Sequence, residues 1–275
     1  MLVTSKELFT KAQQEGFAIP AANFFDLDSA RSYVSVAERM NKPLILAFAQ
    51  AHMEMMSLEE AVLIGHYLAE KATVPVVLHL DHGQDEKVIK QAIDLGFTSV
   101  MIDASLDPFA ENVRRSKAIA EYAHARGVVV EAEIGFVGSG VNYENHDHSD
   151  SIYTEVADAV SFVGQTQVDS LAVSIGTAHG FYKGVPKISF ERLAELQKAV
   201  ATPLVLHGGS SSGDDNLHRC ATEGISKINI FTDFITAAIK AIEQEKPEDY
   251  FQLKIMANRA VEETLAHYYT IFATK

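Results

Sequence analysis

VPVVLHLDHGQDEKVIKQAIDLGFTSVMID, residues 74–103, holds two apolar runs around one helical stretch. The runs at 74–80 and 98–102 are nearly continuous in apolar residues, as strands buried on both faces should be. Between them, 85–95 carries helical spacing and stops at Gly96, a residue suited to a helix C-cap. Each run leads into polar groups: Asp81–His82–Gly83 after the first and Asp103 after the second. Strand, helix, strand is the unit from which parallel sheets are built.

The unit recurs in both directions. Apolar or β-branched runs stand at 17–22 (FAIPAA), 44–49 (LILAFA), 128–134 (VVVEAEI), 170–175 (SLAVSI), 203–206 (PLVL) and 226–230 (SKINI). Helical patterns fill 28–40, 58–71, 108–126, 154–165, 189–200, 214–223 and 232–245. Gly16, Pro43, Pro75, Gly127, Pro203 and Gly224 punctuate the turns into strands. Eight such units predict an α/β fold, a closed (β/α)8 TIM barrel. A doubly wound open sheet is the competing architecture. It would more often carry a Gly-rich phosphate turn after its first strand, and AIPAANFF (18–25) has none. Residues 4–15 read as a leading helix, and 250–272 as one or two trailing helices. No low-complexity linker divides residues 1–275, so a single barrel domain is expected.

Composition narrows the function classes. The chain has 23 Lys+Arg against 37 Asp+Glu, a net charge of −14, and 47% hydrophobic residues. That is globular composition, and the acidic balance argues against nucleic-acid binding, which rests on clustered cations. One cysteine, Cys220, excludes a disulfide framework and fits a reducing cytosol. No apolar run approaches the roughly 18 residues of a membrane span, and MLVTSKELFTKAQQEG lacks an apolar signal core. A cytoplasmic protein that spans no membrane is expected.

Polar residues gather where the strands end. Besides Asp81–His82 and Asp103, Asn23 follows strand one and Glu131 and Glu133 lie in strand five. Gly176–Thr177–Ala178–His179–Gly180 follows strand six, and His207–Gly208–Gly209–Ser210 follows strand seven. Asn229–Ile230–Phe231–Thr232 closes strand eight. In a β/α barrel these points converge on the C-terminal face, where barrel active sites are built.

His82, His179 and His207 differ from the other histidines because each ends a different strand. Three neutral imidazoles at one point make a Zn²⁺ site with an open position, the catalytic type. His79 reads as a core or supporting residue, and His146 and His148 as a solvated loop. His52, His66, His124, His218 and His267 take the ordinary reading of hydrogen-bonded structural residues. Asp81, beside His82, suits acid/base work or support of its neighbour. Asp103 and Glu133 suit either a second divalent or monovalent cation or the orientation of the imidazoles. The Gly208–Gly209–Ser210 and Asn229–Thr232 turns follow strands seven and eight, where barrels often hold phosphate on backbone N–H groups.

LHLDHG (78–83), MIDAS (101–105), VEAEIG (130–135), DSLAVSIGTAHGFYKGVPKISF (169–190), PLVLHGGSS (203–211) and KINIFTD (227–233) together resemble the class II, zinc-dependent fructose-bisphosphate and tagatose-bisphosphate aldolases. The resemblance runs over roughly residues 5–245. It implies a (β/α)8 barrel and reversible cleavage of a ketose phosphate to dihydroxyacetone phosphate and an aldehyde, in glycolysis or related carbohydrate metabolism. It implies His82, His179 and His207 as Zn²⁺ ligands, Asp81 as the acid/base, and Asp103 and Glu133 at a second metal position. It implies Gly180, Gly208, Ser210, Asn229 and Thr232 in the phosphate cradle, with Lys183 beside it; Asn23, Gly209, Ile230 and Phe231 are further candidates for substrate binding. A homodimer or homotetramer is implied as well. No Lys stands at the C-terminal end of any proposed strand, so the residues themselves favour a metal over an imine.

Three stretches depart from the family pattern. After strand two the family carries Ser or Thr in a Gly-containing loop, and this chain reads AFAQAHMEMMS (47–57), with Ala49, Gln50 and His52. After strand five it reads GFVGSGVNYENHDHSD (135–150), where Glu144 is the candidate acid for the C3 proton. In the tail, ANRAVEE (257–263) offers Arg259 for a neighbour's second phosphate. These departures bear on the aldehyde half of the substrate. A non-catalytic sugar-phosphate-binding barrel, or an aldolase for another ketose phosphate, is the alternative. A barrel hydrolase would place His-x-His after strand one, and none is there. Residues 127–182 contain no Lys or Arg but eight acids: Glu131, Glu133, Glu144, Asp147, Asp150, Glu155, Asp158 and Asp169. Without a bound cation to invert that field, the chain is expected to bind phosphate poorly.

Overall fold

Eight parallel strands close on themselves in the computed structural model, which describes residues 1–135, 153–178, 180 and 186–275. They are β1 (Ile19–Asn23), β2 (Leu44–Ala49), β3 (Val76–Gly83), β4 (Ser99–Ile102), β5 (Val129–Ile134), β6 (Ser170–Val173), β7 (Leu204–Leu206) and β8 (Ile225–Ile230). Closure is made by β1 against β8, in register from Ile19↔Lys227 to Ala22↔Ile230. This pairing decides against the open sheet. The helices among the described residues are α1 (Lys6–Glu15), α2 (Leu27–Met40), α3 (Leu58–Lys71), α4 (Glu86–Leu95), α5 (Phe109–His124), α6 (Val156–Thr166), α7 (Phe190–Ala199), α8 (Asp214–Thr222), α9 (Thr232–Glu245) and α10 (Tyr250–Ile271). The trailing segment is one helix of 22 residues. A 3-10 turn at Gln50–Glu54 follows β2.

Local chemistry sets the boundaries. Asp26 and Ser57 close capping boxes that start α2 and α3. Gly16 and Gly96 end α1 and α4 in the left-handed conformation, as their positions in the sequence suggested.

Alternation along the strands then sorts the core. Ala18, Ala22, Leu44, Leu46, Val76 and Leu78 belong to the large apolar layer between sheet and helices. Their neighbours Ile19, Ala21, Ile45 and Val77 pack with Phe9 and Ala12 of α1 in a separate cluster. Helix α1 thus plugs the N-terminal end of the barrel. Further along the inward-facing positions the residues become polar. His79 and Asp81 on β3, Ser99 on β4, Glu131 and Glu133 on β5, and Lys227 and Asn229 on β8 are all buried. A barrel interior is more often filled by branched apolar side chains, so this polar upper half marks the functional end.

Candidate active site

Two consecutive residues of a regular strand face opposite ways, yet Asp81 and His82 reach the same site. The β3–β4 ladder explains it. Leu80 pairs with Val100 while Gly83 pairs with Ile102, so β3 carries one extra residue. His82 sits in this bulge at φ +46°. A bulge re-aims a side chain, and here it turns the imidazole toward the carboxylate before it.

Asp81 is held from both sides. Asn23 Nδ2 donates to Asp81 Oδ2 at 2.8 Å and Asn229 Nδ2 to Oδ1 at 2.9 Å. Burial alone would raise the Asp81 pKa, but His82, Lys227, His207 and His79 outweigh it and hold it well below the usual carboxylate range. The group is therefore an ionised, fixed acceptor.

The two described histidines meet in a way that calls for a cation. His82 Nδ1 bonds Asp103 Oδ2 at 2.9 Å and His207 Nε2 bonds Glu131 Oε1 at 2.9 Å. Each carboxylate takes the N–H of its imidazole, so the acceptor nitrogens are His82 Nε2 and His207 Nδ1. These face each other at 3.0 Å. Burial would lower the His82 pKa, but Asp81, the Asp103 hydrogen bond and Glu133 raise it to about 9. Burial, and then the His82 charge, lower that of His207. Asp81, His82 and His207 each offer a ligand atom, all within 4.8 Å of one another. Imidazoles backed by carboxylates are the usual supports of a metal, and the residues present fit a divalent ion.

Asp103 acts here as the orienting partner of His82, and its Oδ1 takes Ser105 N at 3.2 Å and Oγ at 2.7 Å. His82, Asp103 and Glu133 also form a second group of ligand atoms within 4.8 Å. Both roles expected for Asp103 are thus open to it.

The turns after β7 and β8 are joined through Ser210. Its hydroxyl accepts from the N–H groups of Phe231 (3.2 Å) and Asp233 (3.3 Å) at the start of α9. Gly208 is left-handed at φ +66°, and a Cβ there would lie 2.3 Å from Ala178 O. Only glycine lets the β6 and β7 ends approach so closely. The cavity above is lined by Asn23, Asp81, His82, Gly180, Gly208, Ser210, Asn229, Phe231 and Thr232, with Ala49 and His52 on one wall. Such a helix N-terminus with convergent N–H groups suits an anion.

Most predicted site residues that are described thus converge. The Ile230 side chain alternates outward into the helical layer and packs the core, so only its backbone could serve the cradle. Gly209 stands behind the wall against Ile228 and Asn229. Arg259 pairs with Glu245 on α9, away from the cavity. Glu144, His146, His148, His179 and Lys183 lie outside the described residues.

The sequence places Glu131 among the polar residues of the C-terminal face without a role, and it gives Lys227 and His52 none. Glu131 and Lys227 form a buried ion pair at 2.7 Å inside the barrel. Their signal was present: Glu131 shares a strand face with Glu133, and Lys227 interrupts an apolar strand. His52 takes an ordinary reading in the sequence but packs at a tilt against Phe231, ring centroids 4.9 Å apart, and lines the cavity. The 3-10 turn carries it there, and that turn left no pattern in the sequence. The remaining described histidines keep their structural reading. For example, His66 Nε2 bonds Gly96 O at 2.9 Å and His218 Nδ1 bonds Ile271 O at 2.8 Å.

Residues 3–275 match the family model for class-II fructose-bisphosphate aldolase. Among solved structures, the YdjI aldolase from Escherichia coli K12 is 32% identical with a TM-score of 0.90, over 100% of this chain and 98% of that one. A putative fructose-1,6-biphosphate aldolase from Coccidioides immitis is 26% identical with a TM-score of 0.87, over 97% and 95%. The fructose-bisphosphate aldolase from Campylobacter jejuni shares the fold, with a TM-score of 0.83 at 23% identity, over 99% and 95%.

Proposed function

The chain belongs to the class II fructose-bisphosphate aldolase family, and from this premise we propose that it is a zinc-dependent aldehyde-lyase cleaving a ketose (bis)phosphate. The substrate resembles fructose- or tagatose-1,6-bisphosphate, and the products are dihydroxyacetone phosphate and an aldehyde. The observation that carries the reading is the facing pair His82 Nε2 and His207 Nδ1, 3.0 Å apart beside Asp81.

His82 and His207, with His179, would hold the zinc ion. When bound, the ion supplies Lewis acidity at the ketone oxygen of the substrate. Asp103 and Glu133 would hold a second cation or support the first site. Ser210, Gly208, Gly180 and the Asn229–Thr232 turn hold the phosphate, with Lys183 beside it.

Asp81 takes the proton of the C4 hydroxyl. The C4 oxygen forms the aldehyde carbonyl as the C3–C4 bond breaks, and the bonding pair stays with C3. Glu144 returns a proton to C3, which completes dihydroxyacetone phosphate. Asn23 and Asn229 keep Asp81 aimed throughout. Residues 1–275 act as one barrel domain. Ile239, Phe251 and Ile255, exposed at 51%, 81% and 64% on α9 and α10, support assembly into a homodimer or homotetramer in the cytoplasm.

A coupled assay for dihydroxyacetone phosphate tests this across ketose mono- and bisphosphates, with and without zinc. Zinc-restored cleavage of at least one substrate is expected. Saturable binding without turnover on the whole panel would replace the enzyme with a sugar-phosphate-binding barrel.

A further inference from the structure

Lys227 on β8 is 1% exposed, inside the barrel and below the cavity. Burying an ammonium group is costly unless its hydrogen bonds are all made. Here they are. Nζ donates to Glu131 Oε1 at 2.8 Å, to Glu131 Oε2 at 2.7 Å, and to His79 Nε2 at 3.2 Å. Three donors meet three acceptors. His79 is itself fixed, since its Nδ1–H donates to Ser99 Oγ at 2.8 Å. The carboxylate so gripped is the one that accepts from His207 Nε2. A chain of fixed bonds therefore runs from β4 through β3, β8 and β5 to the imidazole on the β7 end.

We propose that Lys227 is a positioning residue: by holding both oxygens of Glu131 it keeps His207 in the Nε2–H tautomer, with Nδ1 aimed at the ion position, and so sets the affinity for zinc. The inference rests on the metal reading above. Three features favour it over a plain core ion pair. A pair serving packing alone needs no third partner, yet Glu131 Oε1 is shared between Lys227 and His207. Glu131 alone would leave the carboxylate free to rotate away from His207. Branched apolar residues would fill the same space at less electrostatic cost.

The test uses the full chain, stripped of metal, in three forms: parent, Lys227→Met, and Lys227→Met with Glu131→Gln. The double variant removes both buried charges, which leaves the fold intact if the single one does not fold. Zinc affinity is read by competition with a chromophoric chelator. The His207 tautomer is read by long-range 1H–15N NMR on 15N-histidine protein, assigned with His207→Gln. Loss of a partner supporting a ligand typically weakens metal binding roughly 10- to 100-fold. That loss in Lys227→Met, with a His207 that is no longer purely Nε2–H, is the expected result; in the double variant the Gln amide, which can present either its oxygen or its nitrogen to Nε2, gives a mixed tautomer. A folded variant with parental zinc affinity and an unmixed Nε2–H His207 would overturn the inference. A parent that binds no zinc would overturn the metal reading and the affinity claim together. The NMR comparison would then still show whether Lys227 fixes the tautomer.

Discussion

His82 Nε2 and His207 Nδ1 face each other at 3.0 Å, and each ring carries a carboxylate on its far nitrogen. Two acceptor nitrogens cannot rest at that distance without a cation between them. Either a proton or a metal ion suits the position, and the two can be told apart by experiment.

Replacing His207 with Ala removes one of the facing nitrogens. Zinc content per chain should fall well below stoichiometric, and kcat/KM should drop by at least about 100-fold, since a Lewis acid is worth several kcal/mol and each 1.36 kcal/mol is tenfold. Metal analysis and the coupled assay on the same sample check this. Cleavage that survives chelation and is trapped by borohydride would mean an imine mechanism instead.

Asp81→Asn should lower kcat by about 10²- to 10⁴-fold, the range for a lost general base, with zinc still bound. Asn23→Ala and Asn229→Ala each remove one of the two amides on that carboxylate. Each should reduce kcat by a smaller factor than Asp81→Asn. A rise in KM alone would reassign the two amides to substrate binding.

The zinc-free protein should be most stable near pH 6.5. Burial, with Lys227, lowers the His79 pKa from 6.5 to about 3. Between those values the unfolded chain takes up a proton that the folded chain refuses, so stability falls as pH drops through this window. Glu131, whose carboxyl is held low by Lys227 and the His207 bond against the cost of burial, adds to the acid loss. His82 works the other way. Its folded pKa of about 9 gives stability that is complete below 6.5 and is lost as pH rises to about 9. Urea midpoints from pH 4 to 9.5 should show both limbs, and saturating zinc should remove the alkaline one. An alkaline limb unchanged by zinc would place the proton elsewhere.

Gly208→Ala should be severe. The residue is left-handed, and the added Cβ would lie 2.3 Å from the Ala178 carbonyl oxygen. The strands bearing the site must move apart, so thermal stability should fall and KM for the phosphate substrate should rise together. Parental values of both would show that the β6 and β7 ends tolerate more separation than their packing suggests.

What the chain declares locally is the barrel and the inventory of its upper face. Strands buried on both sides must be apolar throughout, so eight short runs such as LILAFA (44–49) and SLAVSI (170–175) are visible without any partner. Glycines that end helices left-handed, and polar residues that follow each strand, are equally local signals. What only the tertiary structure decided involves pairing across the barrel or irregular backbone. Asp81 and His82 act together because a bulge breaks the alternation that would send them to opposite faces. Lys227 and Glu131 lie 96 residues apart and meet only because β8 and β5 share one interior. His52 reaches the cavity on a turn with no sequence period, and the Ile230 side chain points away from it because strand alternation puts it outward behind Asn229. Periodicity reports which face a residue takes on a regular element. It carries no record of which distant face closes against it.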